Sequence, residues 1–579
     1  ARSRAGMTPA ARIRRREVGA AGTWPAHVPM LLQRVYEARG AGSMEQAQPR
    51  LAQLLPPDLL GGIDEATTLL ADAIAANRHI VIVGDFDCDG ATACAVGVRG
   101  LCLLGARRVT PAVPNRMVHG YGLSPSLVEE LDALAPELLV TVDHGIACHA
   151  GIAAAKARGW QVLVTDHHLP GDVLPPADAI VNPNLRGDPF PSKMLAGVGV
   201  MFYVLLALRR VLRERGAFDG PEPDLSSLLD LVAVGTVADL VPLDANNRAL
   251  VGAGLRRLRA GQACAGLQAL VRVAGRDPAR LTAADIGFAV APRLNAAGRL
   301  EDMALGIACL LTDDGSQADE MARVLDGINA ERRGVQQQMV DEAQAALVRV
   351  DVEGAVPLAP CLFDPEWHPG VVGLVASKIK ERLHRPVIAF APAEPGSTVL
   401  RGSARSIPGF HIRDALAAID AANPGLMQRF GGHAMAAGLS LDESALSAFR
   451  EAFHEQASKL LDEAMLQEVL LSDGELRSDE LDRAHAEALR SAGPWGQGFP
   501  EPMFDGRFDV LDWRVIGEKH LKFSLRLPGH AAALNAIHFN GWQDEAPPTR
   551  IHAAYQLDTD DWQNRRGIQL LIRYWQAAE

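Results

Sequence analysis

Cysteine is scarce in this 579-residue sequence, with seven residues scattered along the chain and no Cys-x-x-Cys pair. An odd, dispersed set excludes a disulfide framework and a paired-thiol zinc site, and it points to a reducing compartment. Long apolar runs are also missing, as is an apolar-cored leader, so neither a membrane span nor a secretory signal is expected. The expected location is the cytoplasm, with no membrane partner. Lysine is rare too. Only seven of the 57 basic residues are Lys, and we give that bias toward Arg no functional weight. There is no internal repeat and no low-complexity segment. The net charge of −13 gives no overall attraction for a polyanion, so any nucleic-acid binding has to rest on local basic features.

What the sequence does have is aspartate at the ends of apolar runs. Ile80-Val-Ile-Val-Gly stops at Asp85, Asp87 and Asp89, three carboxylates spaced two apart. Leu138-Leu-Val-Thr-Val runs into Asp143-His144-Gly145, and Val162-Leu-Val-Thr runs into Asp166-His167-His168. Each run reads as a short buried strand, and helix-like segments lie between them. In a parallel sheet the carboxyl ends share one edge, so the three acidic ends converge on one crevice. Any one of these aspartates alone would read as a strand-end or helix-capping residue. Three in one βα array instead read as a polynuclear metal site, because clustered carboxylates repel unless a cation lies between them. Excess carboxylate with one or two imidazoles and no thiol pair suits two divalent cations, Mg²⁺ or Mn²⁺. Such a pair activates water and holds a phosphoryl group for in-line attack, which makes phosphoester hydrolysis the leading chemistry. No Ser-His-Asp or Cys-His set competes for the role of nucleophile.

These motifs are similar, in order, to those of the DHH phosphoesterase superfamily: Val83-Gly-Asp-Phe-Asp-Cys-Asp-Gly90, Thr141-Val-Asp-His-Gly145, Asp166-His-His168 and Gly235-Thr-Val-Ala-Asp239. Gly431-Gly-His-Ala-Met-Ala-Ala-Gly438 resembles the glycine-rich signature of the DHHA1 domain that follows. Pro292-Arg-Leu-Asn-Ala-Ala-Gly-Arg299, Trp367-His-Pro-Gly-Val-Val-Gly373, Arg401-Gly-Ser-Ala-Arg405 and Trp495-Gly-Gln narrow the resemblance to the RecJ family, over nearly the whole chain from about Arg14. The resemblance implies a two-metal 5′ to 3′ exonuclease that degrades single-stranded DNA to mononucleotides in recombination and repair. It also implies a strand with a 5′ end as substrate, and a single-stranded-DNA-binding protein and a RecQ-type helicase as partners. Asp87, Asp89, Asp143, His167 and Asp239 would be direct ligands, with Asp143 the bridge. Asp85 would be either a further ligand or an acceptor behind the ligands. His168 would contact the scissile phosphate or protonate the leaving oxygen, while Asp166 orients the imidazoles. Two residues depart from the pattern. His144 stands where a small polar residue such as Asn is expected, and Cys88 where a small one is usual. His144 is expected to support the ligands from behind, and Cys88 to be packed.

A clamp for a terminal phosphate is expected from Arg401, Ser403 and Arg405, with Gly432 and His433 offering open backbone donors and an imidazole. Arg116 and Arg293 are further candidate phosphate contacts, although surface arginines are usually only solvated. The expected fold is multidomain α/β. Residues 1–75 read as an N-terminal extension, with 1–6 before Met7 an expression scar and Arg12–Arg16 a solvated basic run. Residues 76–240 form the parallel-sheet DHH domain, and 241–350 a helical region whose long linking helix runs from Ala304 to Val350. Residues 351–464 form the α/β DHHA1 domain and 465–579 an all-β OB-fold barrel. In that last segment Trp495, Phe499, Trp513, Lys519, Lys522 and Phe523 bring aromatics and scarce lysines together for single-strand binding, with about half of the aromatics expected in the core. Two alternatives remain: another DHH activity on short oligonucleotides or pyrophosphate, and a DNA-binding scaffold that has lost its chemistry. A scaffold has no reason to keep every acidic strand end.

Overall fold

The computed structural model describes residues 11–115, 118–119, 121–300, 302–351, 357–542, 545–560 and 567–578. The chain divides into two compact units, one of Arg16–Asn329 with Asp473–Glu579, the other of the residues up to Arg15 with Ala330–Ser472.

The first unit is built on five parallel strands in the order Val109–Ala112, Ile80–Val83, Leu138–Val142, Gln161–Thr165, Ala179–Val181. Ile80–Val83 and Leu138–Val142 are buried at every position, as strands covered on both faces must be, which explains why they read as unbroken apolar runs. From Ile80–Val83 the chain first steps outward to Val109–Ala112 and then back across to Leu138–Val142. The order therefore reverses between the strands that end at Asp85 and Asp143, and at such a reversal a doubly wound sheet opens a crevice at its carboxyl edge. The helix Gly197–Glu214 starts against that edge. A Cβ on Gly197 would lie 2.4 Å from the Cβ of Asp143, so only glycine permits the approach.

Residues 16–75, expected as an extension, belong to the same core. Helices Met30–Glu37 and Ile63–Ala75 bury Leu31, Val35, Tyr36 and Leu70 in the cluster that also holds the sheet's Ile80 and Ile82. The run Arg12–Arg15 is a strand paired in parallel with Val469–Ser472, so these arginines are structured by backbone pairing.

The barrel's closed order is Phe504–Ile516, His520–Arg526, Ala533–His538, Gly567–Ala577, Arg550–Asp560, and a helix, Arg483–Ser491, precedes it. Trp495 and Phe499 lie in the connection to the barrel and stack on each other; Phe499 also stacks on Tyr36, Trp495 meets Tyr36 at a tilt, and Arg248 sits 4.0 Å over the Phe499 ring. Phe523 is barrel core. Trp513 is partly exposed and stacked on Trp542, Lys522 is partly exposed, and Lys519 is exposed. Three of the four aromatics proposed for DNA are thus packing residues.

The long linking segment is two helices. Ala304–Leu311 ends before Asp314, whose carboxylate accepts from the Ser316 and Gln317 amides, and Gly315–Asp351 follows as one 37-residue helix. That Asp cap is the break the periodicity hid.

The second unit has a five-stranded sheet in the order Arg429–Gly432, Ala436–Asp442, Val399–Arg405, Val387–Pro392, Cys361–Phe363, antiparallel except for its last pair. One face buries Phe390, Leu400 and Leu439 against Ile412, Phe449 and Phe453. The other carries Arg401, Ser403 and Arg405, since period-two alternation puts all three opposite the buried Leu400, Gly402 and Ala404. Among the described residues no helix is long and apolar enough to cross a membrane.

Candidate metal centre

The carboxyl edge of the parallel sheet gathers the acidic strand ends. Asp87 caps the helix Cys88–Leu103, accepting from the Gly90 amide at 2.9 Å, and Asp89 lies in the first turn of that helix. Both oxygens of Asp89 are held by the opening amides of a second helix, Gly197 N at 2.7 Å and Val198 N at 2.8 Å. Asp143 has a left-handed backbone, φ 64°, a strain that surrounding structure must hold and that clusters at functional sites. Asp239 closes the helix Leu229–Ala238.

His167 is the hub of this cluster. Its Nε2 lies 3.1 Å from Asp143 Oδ1, 3.5 Å from Asp239 Oδ2 and 3.8 Å from Asp89 Oδ2. Three overlapping groups have donor atoms within 4.8 Å of one another: Asp85, Asp87 and Asp143; Asp89, His167 and Asp239; Asp143, His167 and His168. The first two share no residue, and Asp143 of one touches His167 of the other. The two groups therefore adjoin at Asp143 and His167.

Electrostatics supports cation binding. Burial, then the neighbouring carboxylates, pushes Asp85, Asp143 and Asp239 well above the ordinary carboxylate range, and Asp89 up to about 7. Asp143 Oδ1 is buried, with His167 Nε2 3.1 Å away and, among the described residues, no hydrogen bond of good geometry. Crowded, hard oxygen donors fit Mn²⁺ or Mg²⁺.

Asp166 lies outside all three groups. Its Oδ1 accepts from the His167 and His168 amides and bonds His168 Nδ1 at 2.7 Å, while Oδ2 accepts from the Ile146 amide at 3.0 Å. Burial raises its pKa, but these bonds, led by that to His168, outweigh it and bring the carboxyl to about 2. The same bond lifts His168 to about 9 against the opposing effect of burial. His144 is fully buried, with Nε2 bonded to the Val83 carbonyl at 3.1 Å, and burial lowers it to about 4. Cys88 is buried beside Asp87 and belongs to none of the groups, and burial pushes its thiol well up.

Several supports were missed in the sequence. Asn182 and Asn184 donate to the His168 and His167 carbonyls at 2.8 and 2.5 Å, and Asn295 accepts from the Cys88 amide at 2.8 Å. The signal was present in Asn182-Pro-Asn184, a turn directly after the last strand, and in the Asn of Pro292-Arg-Leu-Asn295.

The other candidate residues distribute differently. In the second unit Arg405 Nη1 donates to Ser403 Oγ at 3.0 Å, and a Cβ on Gly373 would lie within 3 Å of both side chains, so the start of helix Val372–Leu383 borders them closely. Ala436 pairs with Arg405, which brings the exposed turn at His433 beside that strand end. Gly432, at φ 141°, makes this tight hairpin possible. Arg401 points from the same face. Arg293 is committed elsewhere in the first unit, with Nη1 on the Ala289 carbonyl and Nη2 2.8 Å from Asp326. Arg116 lies outside the described residues.

Comparison with known proteins agrees with this geometry. Residues 79–236 match the DHH family N-terminal domain, 353–459 the DHHA1 domain and 472–574 the RecJ OB domain. The single-stranded-DNA-specific exonuclease RecJ of Dickeya dadantii is 51% identical over 95% of this chain and 96% of its own length, and that of Escherichia coli 48% identical over 97% and 98%. The crystal structure of Thermus thermophilus RecJ in complex with Mn²⁺ superposes with a TM-score of 0.80 at 33% identity, covering 98% of this chain and 79% of that one. A structure of exonuclease RecJ bound to manganese gives 0.57 at 38% identity, over 70% of this chain and 96% of the other. With its three domains in the RecJ order and its metal-ligand geometry at the sheet edge, the chain belongs to the RecJ family.

Proposed function

We infer that the protein is a divalent-cation-dependent exonuclease that removes mononucleotides from single-stranded DNA, running 5′ to 3′. The observation that carries this reading is the pair of disjoint donor groups, Asp85-Asp87-Asp143 and Asp89-His167-Asp239, at the switch point of the parallel sheet. Asp87, Asp89, Asp143, His167 and Asp239 hold two Mn²⁺ or Mg²⁺ ions, with Asp85 completing the first group. When bound, the ions lower the pKa of water and neutralise charge on the phosphoryl group. The chain's own contribution is placement. Helix-start amides fix Asp89, and Asp166 fixes the His168 ring through Nδ1, leaving Nε2 for the scissile phosphate or the leaving oxygen.

The 5′ polarity is assigned to Arg401, Ser403, Arg405, Gly432 and His433 as the holder of a terminal phosphate. The support is an arginine face whose guanidinium is already aligned by Ser403, next to open glycine backbone. Arg293 is better read as a brace for the helix Gly315–Asp351. A short-oligonucleotide or pyrophosphate hydrolase would have no use for a closed barrel with a partly exposed Trp513–Trp542 stack.

The deciding experiment compares 5′-labelled with 3′-labelled oligonucleotides in Mn²⁺, in Mg²⁺ and in chelator. Mononucleotides should leave the 5′ label at once and the 3′ label last, and only with metal. Early release of the 3′ label, or internal cuts, contradicts the polarity; hydrolysis in chelator contradicts the metal centre.

A further inference from the structure

Two unusual features of the first unit meet around one cavity. Leu240 adopts a left-handed backbone, φ 60°, without being glycine, and leaves its side chain 73% exposed. Backbone strain is expected at a non-glycine residue in that region. Nearby, Ile286–Val290 forms a π-helical turn, a feature frequent at functional sites, and it presents Phe288 with 84% of its surface exposed. Both side chains line one cavity of about 280 Å³, whose apolar wall continues through Pro494 and Trp495 toward the barrel. Arg259 and Arg490 stand in the same lining, Arg259 with its Nε donating to the Leu281 carbonyl and Arg490 with Nη1 3.5 Å from Asp558 Oδ1. Glu501 is the acidic member, and it accepts from Gln556.

An aromatic face, an aliphatic neighbour and two guanidiniums are what a single strand asks of a surface, which stacks bases on aromatic rings and tracks phosphates with cations. Leu240 in the cavity's lining follows Asp239 of the metal centre directly in the chain. The cavity also reaches the connection that enters the barrel at Phe504. We propose that Phe288 and Leu240 form a base-stacking site for a nucleotide of the bound strand near the scissile one, with Arg259 and Arg490 meeting its backbone. Phe288 acts as a substrate-positioning residue, holding the strand in register with the metal centre. This rests on the single-strand exonuclease reading above.

The test uses the full chain in Mn²⁺ and follows the first cleavage as a function of substrate concentration. Substrates are 5′-phosphorylated oligonucleotides carrying one abasic residue at each position in turn. For the parent, one or two adjacent abasic positions should raise KM about tenfold, the loss for one stacked base. Phe288→Ala should raise KM about tenfold on the intact strand, with kcat changed much less, and should then show no further penalty at those positions. Phe288→Trp should restore the penalty and the KM. Because Phe288 is so exposed, removing its ring leaves no core cavity. Equal abasic penalties in the parent and Phe288→Ala would overturn the proposal, as would a parent indifferent to every abasic position. A parent that does not cut single strands at all would instead overturn the exonuclease reading.

Discussion

The two units each carry a charged face, and the two are built in opposite ways. In the first, parallel strands buried on both sides drive carboxylates into a crevice where Asp85, Asp89 and Asp143 are almost without solvent. In the second, a mixed sheet has one packed face and lifts Arg401, Ser403 and Arg405 onto a half-exposed one. The acidic face crowds like charges that cations would neutralise; the basic face has no such crowding. The difference follows from topology. A switch point concentrates strand ends, whereas period-two alternation spreads residues along a strand.

Breaking the acidic face should have the largest effect. Asp143→Asn removes the carboxylate that belongs to one donor group and touches His167 of the other, so hydrolysis should fall by several orders of magnitude in a single-turnover assay. In chelator the same variant should melt at a higher temperature than the parent, because one buried like charge is gone. With saturating Mn²⁺ the order should reverse, since an ion at about 100 times its Kd contributes about 2.7 kcal/mol to the parent. A variant that cuts at anything near the parent rate would remove the two-metal account.

Breaking the basic face should cost less and be selective. Arg405→Ala should reduce discrimination between 5′-phosphorylated and 5′-hydroxyl strands by about 1.5–3 kcal/mol, the range for a charge-assisted hydrogen bond, measured as a ratio of kcat/KM values. Equal losses on both strands would take the terminal phosphate away from this face.

The supports behind the acidic face come next. Asn295→Ala leaves the Cys88 amide at the helix start without its acceptor, and about 1–3 kcal/mol of stability should go in denaturant unfolding. Asn295→Asp, which keeps the acceptor, should recover most of it. Cys88→Ala should be nearest to silent in activity, because its packed thiol belongs to no donor group; a large kcat loss at unchanged stability would show that the thiol reaches the reaction.

The acidic face was legible in the sequence because apolar runs ending in Asp declare both the strand and its polar end. What holds the ligands was not. Gly197 and Val198 grip Asp89 through backbone amides, which leave no side-chain signature, and Asn295 reaches Cys88 from 207 positions away. The basic face was legible as a short motif, yet only the strand register showed that its three polar residues share a side. The pairing of Arg293 was not legible, because a sequence does not show that Asp326 is its partner. The packing of Trp495 and Phe499 was hidden in the same way, since their partners Tyr36 and Arg248 lie in a stretch read as an extension and in a distant helix. Those contacts also carry a consequence. Deleting residues 473–579 would strip Tyr36 and Arg39 of Trp495, Phe499 and Asp473, so the truncated chain should fail to fold rather than merely lose processivity.

The most direct test of the contrast between the faces is a calorimetric titration of the metal-free protein with Mn²⁺. The donor geometry predicts about two ions per chain. Asp143→Asn should lose at least one of them, and Arg405→Ala should keep both. Binding that is absent in the parent, or unchanged by Asp143→Asn, would contradict the account.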